Sequence, residues 1–342
     1  MSPVAARSDM MRIILFSILV FAAALAAAQV PPAGRAPSEP ATGGFAHVGH
    51  NGDIRAFCRT GDSLWVGTSG GLYIYDLGAG ELAGFVGLGP SIPSNSVRAI
   101  SARHDTVFVG TDAGLSLFHS DTVEVFTPSA PGPYEGAPLD RIRHIDFGLD
   151  DTIYLSTYGR GLGVLDRDSS WVITREDSLL DDKVYGMVQQ EDTTAYYVTS
   201  MGLCAFRDSV WVNFQAGAGI PRAEIKQIVP APEGGYFLLV AGRGVYWFDG
   251  VRARRVTFRD LFTENDVAAI AVDVWDNLWA CGRHGGIAAY RNGHWTEVDQ
   301  KDPIYGKRRW RAAYADSTGN VFFGSADGTV LTIRDNVIDS FN

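Results

Sequence analysis

The feature that most constrains this chain is a short strand motif that recurs seven times at a nearly constant spacing. The clearest copy, residues 64–75, reads LWVGTSGGLYIY, in which an aromatic and β-branched strand leads into a glycine turn and a second strand. The second glycine of the copies falls at positions 71, 114, 161, 202, 244, 286 and 328. Such regular spacing is typical of a repeat architecture in which each copy is one structural unit.

An apolar pair precedes the glycine of every copy and completes the unit. The pairs are Ile54/Phe57, Val97/Ile100, Ile142/Ile145, Val184/Met187, Ile225/Ile228, Val267/Ile270 and Trp310/Ala313. Each copy therefore predicts four short strands, A to D, with the apolar pair in A and the motif in B and C. Period, strand number and copy number predict an all-β fold, a seven-bladed β-propeller of four-stranded antiparallel blades. The end copies look like the others, which favours a closed ring over an open solenoid with atypical caps.

Two details of the ring follow from the same pattern. The small residue after the motif strand is expected where the blades converge, so a bulky side chain there would clash. Two segments compete to supply an outer strand that joins the last blade to the first, residues 45–48 and residues 337–341. The sequence leaves that choice open.

The N-terminal region predicts export. Arg7 and Arg12 precede an apolar run that ends in Ala26-Ala27-Ala28, which is the pattern of a cleaved secretory signal peptide over residues 1–28. An uncleaved N-terminal anchor is the alternative. Residues 29–44 are rich in proline and glycine and predict a flexible linker, and the propeller is expected over residues 45–342. The mature chain is then periplasmic or extracellular, without a membrane span.

Charge and cysteine content exclude several functions. The formal net charge of -10 disfavours nucleic acid as a partner, because binding to phosphates needs a basic face. Cys58, Cys204 and Cys281 are odd in number and far apart, so they predict small core residues and not a disulfide framework or a metal site. No cofactor is predicted.

Residues 64–75 resemble the two-component regulator propeller repeat, and so do residues 92–100 followed by 107–111. The resemblance fades in copies four and five, where Thr199-Ser200 and Val240-Ala241 replace the Gly-Thr pair. It implies a periplasmic sensor-type propeller that binds glycans or other small ligands. The best-known members carry paired propellers, a transmembrane helix and a kinase, which this chain does not show. The resemblance therefore carries over a binding role at most.

The loops around the mouth of the central channel are the expected ligand site, because that mouth is the concave surface that the fold guarantees. The B-to-C loops of copies three and six are one residue longer than the others and carry Tyr158 with Arg160, and Arg283 with His284. Copy five adds Arg243. A position between the two members of each apolar pair is basic in five of seven copies. It holds Arg55, Arg98, Arg143, Tyr185, Lys226, Ala268 and Arg311.

These residues predict a basic collar that binds an anionic group, such as a uronic acid, a carboxylate or a sulfate. Tyr158 and Trp310 are candidates for stacking on a sugar ring. The predicted ligand-binding set is Tyr158, Arg160, Arg243, Arg283, His284, Arg98, Arg143, Arg311 and Trp310. The most specific version of this hypothesis is that Arg160, Arg243 and Arg283 converge on one anion. The alternative is that the collar forms ion pairs with acids before strand A, namely Asp53, Asp140, Asp182, Glu224 and Asp266.

Three functions are open at this stage. The preferred one is non-catalytic binding of a small molecule or glycan, with no catalytic or metal-binding residue assigned. The first alternative is an enzyme resembling virginiamycin B lyase, which would place His144 or His284 within hydrogen-bond reach of a carboxylate or metal at the mouth. The second is a scaffold that binds another envelope protein and exposes an apolar patch.

Overall fold

The computed structural model turns each predicted repeat into one antiparallel sheet. It describes residues 46–47, 52–167, 169–190, 194–214, 216–232, 234–256, 266–298, 308–334 and 337–339. The predicted signal peptide at 1–28 and the linker at 29–44 lie outside these residues. Within the described ranges, no helix is both long and apolar enough to span a bilayer.

The sheets follow one another along the chain, and each runs from an inner strand to an outer strand. A two-residue strand, β1 (Ala46–His47), precedes the blades. Blade 1 comprises β2 (Ile54–Thr60), β3 (Ser63–Thr68), β4 (Leu72–Asp76) and β5 (Glu81–Val86). Blade 2 comprises β6 (Val97–Arg103), β7 (Thr106–Thr111), β8 (Leu115–Phe118) and β9 (Val123–Phe126). Blade 3 comprises β10 (Ile142–Phe147), β11 (Ile153–Thr157), β12 (Leu162–Leu165) and β13 (Ser170–Ile173).

The remaining blades repeat this arrangement. Blade 4 comprises β14 (Val184–Gln189), β15 (Ala195–Thr199), β16 (Gly202–Arg207) and β17 (Val210–Phe214). Blade 5 comprises β18 (Ile225–Pro230), β19 (Tyr236–Val240), β20 (Gly244–Phe248) and β21 (Ala253–Val256). Blade 6 comprises β22 (Val267–Val272), β23 (Leu278–Gly282), β24 (Ile287–Arg291) and β25 (His294–Glu297). Blade 7 comprises β26 (Trp310–Ala315), β27 (Val321–Ser325), β28 (Thr329–Arg334) and, after it, β29 (Val337–Asp339). Short 3-10 turns span Gly132–Tyr134, Arg175–Asp177 and Ala216–Ala218.

Among the described residues, the hydrophobic core forms seven clusters, each lying between two neighbouring blades. The cluster between the last blade and the first contains Ile54 and Val66 from blade 1 with Phe322 and Val330 from blade 7. Because blade 7 packs on blade 1 in the same way as the other neighbours pack, the ring is closed. The prediction of a closed seven-bladed propeller is confirmed.

The small residue near the end of strand B lies where the blades meet, as predicted. A Cβ atom added at Gly110 would lie 2.5 Å from Cγ2 of Ile142 in the next blade. One added at Gly324 would lie 2.3 Å from Cγ2 of Ile54, across the junction that closes the ring. Contact between neighbouring blades therefore depends on the absence of a side chain at this position.

The hydroxyl residue that ends strand B closes the loop to strand C. Thr68 Oγ1 donates a hydrogen bond to the carbonyl oxygen of Gly71 at 2.9 Å and accepts one from the backbone N–H of Gly70 at 2.9 Å. The same bond to the loop carbonyl recurs at Thr111, Thr157, Thr199 and Ser325. The Gly-Thr signature of the repeat is thus explained by packing and loop closure.

Both predicted closing segments contribute to the outer edge of blade 7. Strand β1 pairs with the first part of β28, with Ala46 opposite Val330. Strand β29 pairs with the second part of β28, with Ile338 opposite Ile333. The two segments share this edge and do not exclude each other.

All three cysteines are buried free thiols. Burial raises the pKa of Cys204 and of Cys281 to about 12. Both side chains are therefore protonated at neutral pH and act as small core residues, as the sequence predicted.

Candidate functional site

The inner strand of every blade carries the same irregularity. In blade 1 the pairing of β2 with β3 shifts register between Ile54 and Ala56. The other six blades show the shift at the equivalent place. A β-bulge of this kind leaves the residue after the first one unpaired and redirects its side chain. The bulge also explains why the buried Ile54 and Phe57 are three positions apart and not two.

The residues at the bulges are those of the predicted collar, and all seven line one cavity of about 530 Å³ in the central channel. They are Arg55, Arg98, Arg143, Tyr185, Lys226, Ala268 and Arg311. We call this space the channel cavity. Its volume lies in the range of small-molecule sites. Five of the described lining residues are basic, and Asp53 and Glu224 are acidic, so positive charge predominates.

Asp112, in the B-to-C loop of blade 2, holds two of the arginines. Its carboxylate lies 2.7 Å from Nε of Arg98 and 3.6 Å from Nη1 of Arg143 in the next blade. Its other oxygen accepts a 2.6 Å hydrogen bond from Ser96. Burial alone would raise the pKa of Asp112, but the hydrogen bonds from Arg98 and Ser96 outweigh burial and lower it. Asp112 therefore remains charged and braces blade 2 against blade 3.

The acids beside Arg55, Lys226 and Arg311 lie farther from these cations than Asp112 lies from Arg98. Asp53 lies 3.8 Å from Nη2 of Arg55 and 3.7 Å from Nε of Arg311, both beyond hydrogen-bond distance. Glu224 lies 3.9 Å from Nζ of Lys226. Asp53 and Glu224 thus lie beside basic residues of the collar, where the ion-pair alternative expects them, but at these distances they form no hydrogen bond with them.

The arginines repel one another inside the cavity. Burial, followed by the charge of Arg98, lowers the pKa of both Arg55 and Arg143. Burial also lowers the pKa of Lys226, with Arg283 and Arg311 contributing in the same direction. The described lining holds five basic residues against two carboxylates, and an anion would be attracted to the excess positive charge.

Two tyrosines form the wall at blades 3 and 4. The guanidinium of Arg143 lies 4.8 Å and the ammonium of Lys183 lies 5.1 Å from the ring centroid of Tyr158. The ring of Tyr185 stands edge-on at 6.4 Å. Burial and a hydrogen bond to Glu224 raise the pKa of Tyr185. Tyr158 is held by these cations, so any ring that stacks on it competes with them.

A histidine that lines the cavity pairs with a carboxylate on the same strand. Nδ1 of His144 lies 3.1 Å from Oδ2 of Asp146, and the same oxygen accepts a 3.0 Å hydrogen bond from the backbone N–H of Met187 in the next blade. The negative charge of Asp146 raises the pKa of His144. The two side chains are two residues apart on one strand and so share a face, a signal that could have identified Asp146 from the sequence.

The His144–Asp146 pair is expected to make stability depend on pH. Because the pKa of His144 is raised by folding, the pair contributes fully below the unfolded value of about 6.5 and is lost as pH rises through the folded pKa. We expect the difference in melting temperature between the wild type and His144→Gln to be larger near pH 6 than near pH 8, and small at both because His144 is half exposed. Thermal unfolding at several pH values tests this. The same difference at every pH would contradict it.

The structure brings four of the predicted ligand-binding residues together around the cavity. They are Arg98, Arg143, Tyr158 and Arg311. Trp310 is wholly buried between blades 6 and 7, because it holds the first position of its inner strand, before the bulge. It cannot stack on a ligand in the channel, and that part of the prediction is wrong.

The other predicted loop residues are not among the described residues that line the cavity. Arg160 lies 3.4 Å from Asp140 and is more than half exposed, which matches the ion-pair alternative. Arg243 is exposed, and Arg283 is partly buried. The structure therefore does not gather these three arginines around one anion in the cavity.

His284, in the long loop of blade 6, pairs with Asp266. Its Nδ1 lies 2.6 Å from Oδ1 of Asp266, which also accepts a hydrogen bond from the backbone N–H of His284 at 3.0 Å. The side chain of His284 is 81% exposed. These bonds account for the position of His284 as a loop residue held by its neighbour. In the described part of the chain, no three His, Cys, Asp or Glu side chains are grouped closely enough to hold a metal ion.

Comparison with solved structures places the fold among known propellers. A protein described as the extracellular domain of the hybrid two-component system BT3049 from B. thetaiotaomicron superposes with a TM-score of 0.68 and 20% identity, over 86% of this chain and 42% of that chain. The extracellular domain of the system BT4673 from the same organism superposes with a TM-score of 0.65 and 18% identity, over 84% of this chain and 39% of that chain. This chain shares its fold with those sensor domains. The resemblance predicted from the repeat is confirmed at the level of the fold.

A second group of similar structures consists of enzymes. Virginiamycin B lyase from Staphylococcus aureus gives a TM-score of 0.63 and 11% identity, over 84% of this chain and 96% of that chain. No protein-family profile matches the chain, and no curated protein matches it significantly. The chain spans about two fifths of the two-component domains and nearly the full lyase. At these identities the similarities establish the fold, and function depends on the site.

Proposed function

We propose that this protein is an exported, non-catalytic propeller that binds a small molecule or glycan with an acidic group in the channel cavity. The observation that carries the proposal is the cavity itself, where the bulges direct five basic side chains and one tyrosine into about 530 Å³. Guanidinium groups bind carboxylates and sulfates through paired hydrogen bonds. The inner strands also expose backbone groups to the channel, since each pairs on one side only, and these can bind hydroxyl groups.

Export and the sensor role are parts of the same proposal. The basic and apolar pattern of residues 1–28 supports secretion. The extracellular two-component domains with the same fold support a sensor-type module. In this proposal the propeller captures its ligand outside the cytoplasm and presents the bound state to a partner in the envelope.

A thermal-shift screen tests the binding function. Acidic oligosaccharides such as oligogalacturonate are expected to raise the melting temperature, because a ligand at 100 times its Kd stabilises the folded state by about 2.7 kcal/mol. Matched neutral oligosaccharides are expected to give a smaller shift. No shift with any saccharide or small organic acid at millimolar concentration would contradict the proposal.

One observation favours a second candidate function, a lyase. His144 meets the condition stated for an enzyme, since Asp146 lies within hydrogen-bond reach and the histidine lines the cavity. The bond to Asp146 would keep a proton on Nδ1 and leave Nε2 as the base. Incubation with quinupristin, the compound named with the inactive lyase variant, followed by liquid chromatography with tandem mass spectrometry, tests this candidate. A quinupristin product that is formed by the wild type and lost in His144→Gln would favour the lyase over the binding module.

A further inference from the structure

The basic residues of the channel cavity are unevenly distributed around the ring. Four consecutive blades, 7, 1, 2 and 3, contribute Arg311, Arg55, Arg98 and Arg143. We call these four residues the arginine arc. The next three blades contribute a tyrosine, a lysine and an alanine. A ligand in the cavity therefore meets guanidinium groups on one side only, which gives a bound acid a preferred orientation.

One half of the arginine arc is already occupied by protein acceptors. Nε of Arg98 donates to Asp112 at 2.7 Å, and Arg143 lies 3.6 Å from the same carboxylate. The guanidinium of Arg143 is also stacked on Tyr158 at 4.8 Å. Removing either arginine would take away one of the contacts that hold Asp112, and removing Arg143 would also take a cation from Tyr158. These two residues are therefore structural braces first.

The other two residues of the arginine arc, Arg55 and Arg311, have guanidinium N–H groups without an acceptor among the described residues. Arg55 and Arg311 flank Asp53 at 3.8 and 3.7 Å, where no hydrogen bond forms. Nη1 of Arg55 donates to Ser96 at 2.9 Å, which positions that guanidinium. Nε of Arg311 is buried and makes no hydrogen bond to any described residue. A buried donor without an acceptor is unfavourable, so the Arg311 side of the cavity gains most from an incoming acceptor.

We propose, on the basis of the binding function above, that Arg55 and Arg311 form the acid-binding subsite of the cavity, and that its ligand is a saccharide bearing a carboxylate or sulfate. Two guanidinium groups on either side of a single carboxylate carry one excess positive charge, which one acid group of the ligand neutralises. Arg98 and Arg143 hold the wall with Asp112. Tyr158 and Tyr185 lie across the channel from this subsite and contact the sugar.

The test is isothermal titration of the full-length protein with oligogalacturonate, its methyl ester and sodium sulfate. Arg55→Gln and Arg311→Gln are expected to weaken oligogalacturonate binding by about 10- to 100-fold, the effect of losing a charge-assisted hydrogen bond. Arg160→Gln is the matched control, because Arg160 lies on the same face and pairs with Asp140 outside the described lining. It is expected to bind as the wild type does. Melting temperatures show that each variant is folded, and Arg311→Lys offers a second test that retains the charge.

The outcomes separate this inference from the binding function. Wild-type binding of oligogalacturonate that Arg55→Gln and Arg311→Gln leave unchanged overturns the subsite, although the cavity still binds. Equal affinity for the methyl ester also overturns it. Sulfate that binds as tightly as oligogalacturonate, with the same dependence on Arg55 and Arg311, overturns the assignment to a saccharide. Failure of the wild type to bind any saccharide, acidic or neutral, overturns the binding function as well.

Discussion

Replacing Asp316 by asparagine is expected to lower the free energy of unfolding by about 3 kcal/mol, the size typical of breaking a buried ion pair by removing one partner. The side chain of Asp316 in blade 7 is 2% exposed and lies 2.6 Å from Nη1 of Arg59 in blade 1. Its other oxygen accepts hydrogen bonds from the backbone N–H groups of Thr318 and Asn320. One carboxylate thus closes a turn and joins the last blade to the first.

The effect of Asp316→Asn should depend on pH. Burial alone would raise the pKa of Asp316, but hydrogen bonds from Asn320 and Arg59 outweigh it and lower the pKa. A carboxylate with a lowered pKa stabilises the fold above its unfolded value of about 3.9, and that contribution is lost as pH falls through the folded value. Urea unfolding at pH 7 and at pH 3 measures this effect. The free energies of unfolding of the wild type and the variant should differ strongly at pH 7 and less at pH 3.

The matched control for the Asp316–Arg59 pair is an exposed one. Arg103 and Asp151 also join two blades, but their side chains are 36% and 43% exposed, and such pairs contribute about 0–1 kcal/mol. Arg59→Gln is expected to destabilise the protein by clearly more than Arg103→Gln. Equal effects would show that burial at the ring junction does not decide the strength of these pairs.

Gly324→Ala is expected to destabilise the protein by about 1–3 kcal/mol through overpacking. The added methyl group would lie 2.3 Å from Cγ2 of Ile54 and 3.0 Å from the ring of Phe57. Both neighbours belong to blade 1, and Ile54 is wholly buried, so blades 7 and 1 must separate slightly to admit it. The melting temperature should fall by several degrees.

Gly217→Ala controls for the general effect of replacing a glycine. An added Cβ at Gly217 meets no atom within 4 Å. Loss of chain freedom in the unfolded state alone would make such a change neutral or slightly stabilising. Equal losses of stability in Gly217→Ala and Gly324→Ala would contradict the view that the ring junction is limited by space.

The fold could be predicted because its determinants are local and repeated. The glycine of strand B, the turn glycine and the apolar pair each act within one blade or between neighbouring blades. The same sequence pattern is therefore required in all seven copies. The sequence also contains a signal for the bulge, because the apolar residues Ile54 and Phe57 are three positions apart and both are buried. Two residues three apart on a regular strand point to opposite faces, and this conflict was the available signal.

The site could be predicted only in part, because its contacts join residues that are distant in sequence. The collar positions followed from the repeat, and all of them line the cavity. The role of Asp112 could not be predicted from the repeat, because it depends on the distance between Asp112 in blade 2 and Arg143 in blade 3. Trp310 was wrongly predicted to face the channel. The repeat places Trp310 first in its apolar pair, a position that is buried in every blade, and places Arg311 at the bulge that faces the channel.

The repeated bulge separates what the chain must conserve for stability from what it can vary for recognition. The residue at the bulge takes no part in the strand ladder, and its side chain extends into the solvent of the channel. Arginine, tyrosine, lysine and alanine all occur there in the seven blades, while the first residue of each apolar pair stays buried. The channel is therefore lined by seven variable positions, of which Arg98 and Arg143 are coupled through Asp112. Redesigning them one at a time offers a route to propellers with new ligand preferences on an unchanged frame.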